Sequence, residues 1–134
     1  MQSVRGSLWL HTLTEYVETA RPILIEVARR GTLITYGELL SRLGGGPGRR
    51  YIGEVVGRIS EIELQAGHPK LSAVVVRSDT MMVGGGFFGL PDTPQAIRRS
   101  TRAQWQNPYL SEADIRYWQS QLQEVYQYWQ QYDS

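Results

Sequence analysis

Residues 34 to 59 read ITYGELLSRLGGGPGRRYIGEVVGRI, and the GGGPG at 44 to 48 constrains the fold most. Glycine and proline packed this densely impose a turn between the two apolar-periodic segments that flank them. Before the turn, Thr35 is an N-cap and Glu38 stands three residues on, the spacing of a capping box. Leu39, Leu40 and Leu43 give that short helix an apolar face. After the turn, RRYIGEVVGRISEIELQAG reads as a longer helix. Ile52, Val55, Val56 and Ile59, then Ile62 or Glu63, follow the helical period. Glu54 and Arg58 are spaced to pair along it. Gly53 and Gly57, four apart on one face, predict close packing against a neighbour.

The flanking segments extend this pattern. Residues 1 to 7 read as a loose lead-in. LWLHTLTEYVETA (8 to 20) has helical apolar spacing, and Pro22 predicts a break or kink near Arg21. PILIEVARR then forms a second stretch that ends at Gly31. KLSAVVVRS (70 to 78) is a strand signal, and DTMMVGGGFFG predicts a turn and a short return strand, together a β-hairpin. Residues 91 to 110 are an irregular connector rich in proline and arginine. From Ser111, which pairs with Asp114 as a cap, a helix runs to 132 with Ile115, Trp118, Leu122, Val125 and Trp129 on its core stripe. There is no internal repeat. The chain is one domain, 1 to 134, with a helical part (8–67), a hairpin or wing (70–90), the connector and the last helix.

Composition narrows the chemistry. The absence of cysteine excludes disulfides, thiolate metal sites and a cysteine nucleophile. Two distant histidines do not make a zinc site, so neither metal nor cofactor is expected. No apolar run is long enough to span a bilayer, and no signal peptide is visible, which predicts a cytoplasmic chain without membrane attachment. The formal net charge of +1 says little about partners, but Lys70 is the only lysine and the other thirteen of the 14 Lys+Arg are arginine. Arginine offers a planar fork of donors suited to phosphate and guanine.

Helix, short helix, glycine turn, longer helix and hairpin is the order of a winged helix-turn-helix, an α+β arrangement in which the helix after the turn enters a DNA groove. Arg49 and Arg50 open that helix, where backbone N–H groups also favour phosphate. Arg58 further along the helix and Arg77 at the wing complete the basic set.

TYGELLSRLG, GRRYIGEVVG, VVRSD and GGGF resemble the DNA-binding domain of the alkylguanine-DNA alkyltransferases and alkyltransferase-like proteins, over roughly residues 22 to 90. The resemblance implies a winged helix-turn-helix that rotates a guanine out of the duplex. It implies that Tyr36, matching the tyrosine of the family's TYG motif, supports rotation of the target phosphate. Arg50 matches the arginine that fills the gap in the base stack, a position with a physical job because unstacking costs a few kcal/mol. Ser72 falls in the slot of the family's reactive cysteine and Ala73 in that of its histidine. Alkyl transfer is therefore not expected, and the chain reads as non-catalytic.

Other features have competing readings. His68 with Glu63 could serve as an acid–base pair, although a loop histidine is the simpler reading. GGGFFG (84–89) lacks the lysine of a phosphate loop, so Phe87 and Phe88 read as core anchors. Arg98, Arg99 and Arg102 beside Trp105 fit either nucleic-acid contact or a solvated connector. Tyr117, Tyr128 and Tyr132 lie partly off the stripe of the last helix and fit an interface with a protein partner or a second copy. The alternative to DNA binding is a protein-interaction subunit of a larger bacterial DNA-processing or genome-defence complex. The glutamates separate the two readings: Glu54 and Glu61 in solvent beside Arg50 disfavour a duplex, whereas inward-turned or Arg58-paired glutamates leave it open.

Overall fold

The computed structural model describes residues 12–45 and 49–131, with the side chains of Arg49 and Arg50 outside that description. Among them are five α-helices and a two-stranded sheet: α1 Leu13–Arg29, β1 Ile34–Thr35, α2 Tyr36–Arg42, α3 Arg49–Gln65, β2 Val75–Val76, α4 Arg102–Gln106 and α5 Glu112–Gln131. The protein is a mixed α+β fold, mostly helical.

α1 starts at a capping box formed by Thr12 and Glu15. Thr12 accepts from the Glu15 amide at 3.1 Å and its own amide donates to Glu15 Oε1 at 2.8 Å. The helix then runs through Pro22 without the expected break. An interior proline costs about 3 kcal/mol, but Ala20, Leu24 and Ala28 on both sides of it are wholly buried, and their packing holds the helix together. Gly31 closes it in the left-handed region at φ +65. The Gly31 and Thr32 amides donate to Ala28 and Val27 carbonyls, both at 3.1 Å, the Schellman pattern.

The predicted hairpin is replaced by a parallel pair. β2 joins β1 in the register Ile34↔Val75 and Thr35↔Val76. Residues 71–74 are a 3-10 turn rather than strand. A fully buried valine run suits parallel pairing, and the α2–turn–α3 segment supplies the long crossover that parallel strands need. After β2 the chain closes a tight loop, with Arg77 N donating to Met82 O at 2.9 Å and Met81 N to Arg77 O at 2.8 Å.

α2 carries the expected box: Thr35 accepts from Glu38 N at 3.0 Å and donates through its amide to Glu38 Oε1 at 2.8 Å. α3 buries Ile52, Val55, Val56, Ile59 and Ser60, and of the Ile62/Glu63 alternatives it is Glu63 that faces inward. Gly53 and Gly57 do not mark close packing, since a methyl group at either would meet nothing within 4 Å.

α1, α3 and α5 close over the 71–74 turn. α5 keeps its predicted cap, Ser111 with Asp114, and its stripe buries Trp118, Leu122, Val125 and Trp129. The Trp118 indole donates to Ala73 O at 2.8 Å, tying α5 to the turn.

Candidate nucleic-acid interface

Beyond the paired residues Thr35 and Val76 come Tyr36 and Arg77, so the register sets these two candidates beside each other. Burial pushes the Tyr36 phenol up to about 12, and the Arg77 cation opposes that rise. The hydroxyl therefore stays protonated, a donor, at any physiological pH. It lies against Gly84, where a methyl group would stand 3.8 Å from it. Arg77 is half-buried and already engaged: its Nε and Nη2 donate to the two carboxylate oxygens of Asp79 at 3.0 and 2.6 Å. That pair holds Asp79 below the usual carboxylate range and Arg77 above its ordinary value.

Arg49 and Arg50 occupy the first turn of α3, which carries no acidic residue. Cations at a helix N-terminus oppose the helix dipole, whereas α1, α2 and α5 all have acids there. Along the outer side of α3, Glu54, Arg58 and Glu61 are exposed. Arg58 pairs with Glu61 at 3.8 Å rather than with Glu54. One of the two discriminating glutamates is thus compensated and the other stands in solvent. The outer face holds two acids and one base, so it is net acidic, and the adjacent pair of arginines is confined to the first turn.

Several other candidates are taken up inside the molecule. The Glu63 carboxylate is buried and shared: Arg21 Nε donates to Oε2 at 2.5 Å, and His68 Nδ1 lies 2.8 Å from Oε1. The hydrogen bond to Glu63 raises the Arg21 pKa. The His68 ring packs on Tyr128 and edge-on to Trp129, at 5.0 and 5.8 Å between centroids. The histidine and glutamate are therefore brought together, but on a carboxylate that an arginine already neutralises. An open depression of about 400 Å³ lies beside them, bordered by His68, Asp92, Glu124 and Tyr128. Ser72, in the slot of the family's cysteine, is buried and accepts from Ser60 Oγ at 2.6 Å.

Lys70, charged and the one lysine of the sequence, has a fully buried side chain. Its Nζ donates to Asp92 Oδ1 at 2.8 Å and to Tyr117 OH at 2.5 Å, and lies 4.9 Å from the centre of the Phe87 ring. Desolvation lowers its pKa, with Asp92 opposing. Tyr117 is thus held from inside, against Phe87 and Phe88 as well. Tyr128 rests on His68 and Trp129, and Tyr132 lies outside the described residues.

Of the three connector arginines, Arg98 and Arg99 clamp the chain on itself, while Arg102 is exposed. Arg98 donates to the Thr93 and Pro91 carbonyls. Arg99 donates to Gln104, Asn107 and Tyr109 carbonyls at 2.8, 2.7 and 2.6 Å and stacks over Phe88. Trp105 returns its indole N–H to Arg99 O at 2.8 Å and covers Gly85 and Gly89. GGGFFG is therefore a close-approach surface for α4, anchored by buried Phe87 and Phe88. Phenylalanine burial is as expected, and Gly85 and Gly89 permit the close approach of Trp105. Among the described residues, no helix is long and apolar enough to cross a membrane.

No protein-family model matches the chain, and no curated protein or solved structure matches it at a significant level.

Proposed function

We propose that this chain is a non-catalytic, duplex-DNA-binding protein of winged helix-turn-helix type that meets DNA with the first turn of α3. The observation that carries the reading is the β1–β2 register, which sets Tyr36 beside Arg77 where the 77–82 loop begins. A phenol donor, that loop in the role of a wing, and the arginines of the α3 start are the parts a helix-turn-helix uses on phosphate and base edges. Because the outer side of α3 sets two glutamates against one arginine and would repel phosphate, the helix presents its N-terminal end to the duplex and does not lie along the groove. Arg58, paired with Glu61, contributes little.

The test compares anisotropy of a labelled duplex carrying one O-alkylated guanine with that of its unmodified twin. DNA binding predicts that Arg50→Ala and Tyr36→Phe each weaken the complex, by about 1–3 kcal/mol where a base contact is lost. A preference for the modified duplex supports the alkyltransferase-like branch, and equal affinity supports a general DNA-binding role. Absence of binding to both at low salt refutes the reading.

A second reading, a protein-docking subunit, draws on the exposed aromatics Trp105 and Tyr109, 40% and 70% accessible on the α4 side. Aromatic residues of this kind are enriched at interface centres. It predicts that Tyr109→Ala leaves DNA affinity unchanged and abolishes association with a partner.

A further inference from the structure

Among the described residues Met81 is the one non-glycine residue with positive φ, at +56. Glycine, asparagine and aspartate take this conformation readily; methionine does so against steric resistance. Its side chain is not compensated by burial, since Met81 is 49% exposed, while its neighbour Met82 packs on the core. The loop that holds it is closed at several points. Arg77 N donates to Met82 O, Met81 N to Arg77 O, and Met82 N to Thr80 Oγ1 at 3.2 Å. The Arg77–Asp79 pair braces the same turn. The result is an exposed apolar side chain on a hydrogen-bonded turn that begins next to Tyr36.

We propose that Met81 is a wedge that enters the groove of bound duplex DNA and partly unstacks a base step. This rests on the DNA-binding reading and adds to it the residue that distorts the duplex. Methionine is among the side chains that serve as wedges, because an apolar, unbranched chain slides between bases without leaving a polar group unsatisfied. A preset turn lets it do so with little ordering cost at binding. The arginines of the α3 start supply attraction to phosphate, and Met81 supplies the contact that rewards bending.

The experiment uses the full chain and duplexes carrying 2-aminopurine at successive steps, whose fluorescence rises on unstacking. The variants are Met81→Gly, Met81→Asn and Met81→Leu. Glycine and asparagine accept the positive φ but remove the wedge, and leucine keeps apolar bulk. The wild type and Met81→Leu are expected to raise fluorescence at one step. Met81→Gly and Met81→Asn are expected to lose that signal and bind about tenfold more weakly, while Met81→Gly melts no lower than the wild type. A residue that merely completes the turn would give the same melting result with affinity and fluorescence unchanged, and that outcome overturns the wedge. Wild-type binding with no fluorescence rise at any step overturns the wedge and leaves DNA binding standing. Absence of wild-type binding at low salt overturns both.

Discussion

The Lys70 ammonium donates to the Asp92 carboxylate at 2.8 Å across a boundary, fully buried on the lysine side and 37% exposed on the aspartate side. The only lysine of the chain thus fastens the 90s segment to the core beneath α5. Removing one partner of such a pair is asymmetric. Asp92→Ala strands a buried cation, a change that costs about 3–5 kcal/mol for buried pairs. Lys70→Met leaves a carboxylate that can reach water and keeps the buried methylenes, so its cost is smaller. Urea unfolding of the two variants checks the order; equal losses would contradict it.

The lowered pKa of Lys70 has a consequence at alkaline pH. In the unfolded chain the ammonium releases its proton near 10.5, and in the fold it does so earlier. Between the two, the unfolded state holds more protons, so this group makes stability rise with pH through that window. The difference in melting temperature between wild type and Lys70→Met should therefore move in favour of the wild type as pH climbs toward 10.5. A flat difference would contradict the assignment.

Tyr36 and Tyr117 act in the opposite direction. Burial raises both phenols to about 12 from an ordinary value of 10.0. Above pH 10 the unfolded chain loses these protons while the fold keeps them, so stability falls as pH rises toward 12. Tyr36→Phe should flatten part of that decline. Burial raises the Tyr126 phenol as well, so spectroscopic titration at 295 nm should show late-titrating phenols at Tyr36, Tyr117 and Tyr126 in the wild type and one fewer in the variant.

Four glycines separate packing from propensity. A methyl group at Gly85 or Gly89 would overlap Trp105, at its backbone in the first case and its indole in the second. Gly85→Ala and Gly89→Ala should lose about 1–3 kcal/mol, the range for overpacking. Gly53 and Gly57 face open space inside α3, so Gly53→Ala and Gly57→Ala should gain roughly 0.5–1 kcal/mol from reduced unfolded entropy. Thermal melts of the four variants give the signs directly.

What the sequence made legible was local. Thr35 with Glu38, Ser111 with Asp114, and the Trp118–Trp129 stripe are each decided within one or two helical turns, where cap geometry and the 3.6 period act. What it hid was decided by distant partners. The pairing of Ile34 with Val75 spans α2, the glycine turn and α3, and two-residue strands leave no periodic trace. α1 passes through Pro22 because residues from other elements bury its flanks. Glu63 turns inward because Arg21 and His68 meet it there, and Lys70 because Asp92 and Tyr117 do. Arg98 and Arg99, basic by composition, are spent on backbone carbonyls. Of the proposed interface, the arginines of the α3 start were visible as a motif, while the adjacency of Tyr36 and Arg77 came only with the parallel register.

The most direct measurement is a salt titration of duplex binding by anisotropy, wild type against an Arg49→Ala/Arg50→Ala double variant. Phosphate contacts release counterions, so log affinity falls with log salt by about 0.9 per contact. A steep slope is expected for the wild type and one shallower by roughly two for the double variant. An identical slope and affinity in both proteins would contradict the placement of DNA at the start of α3.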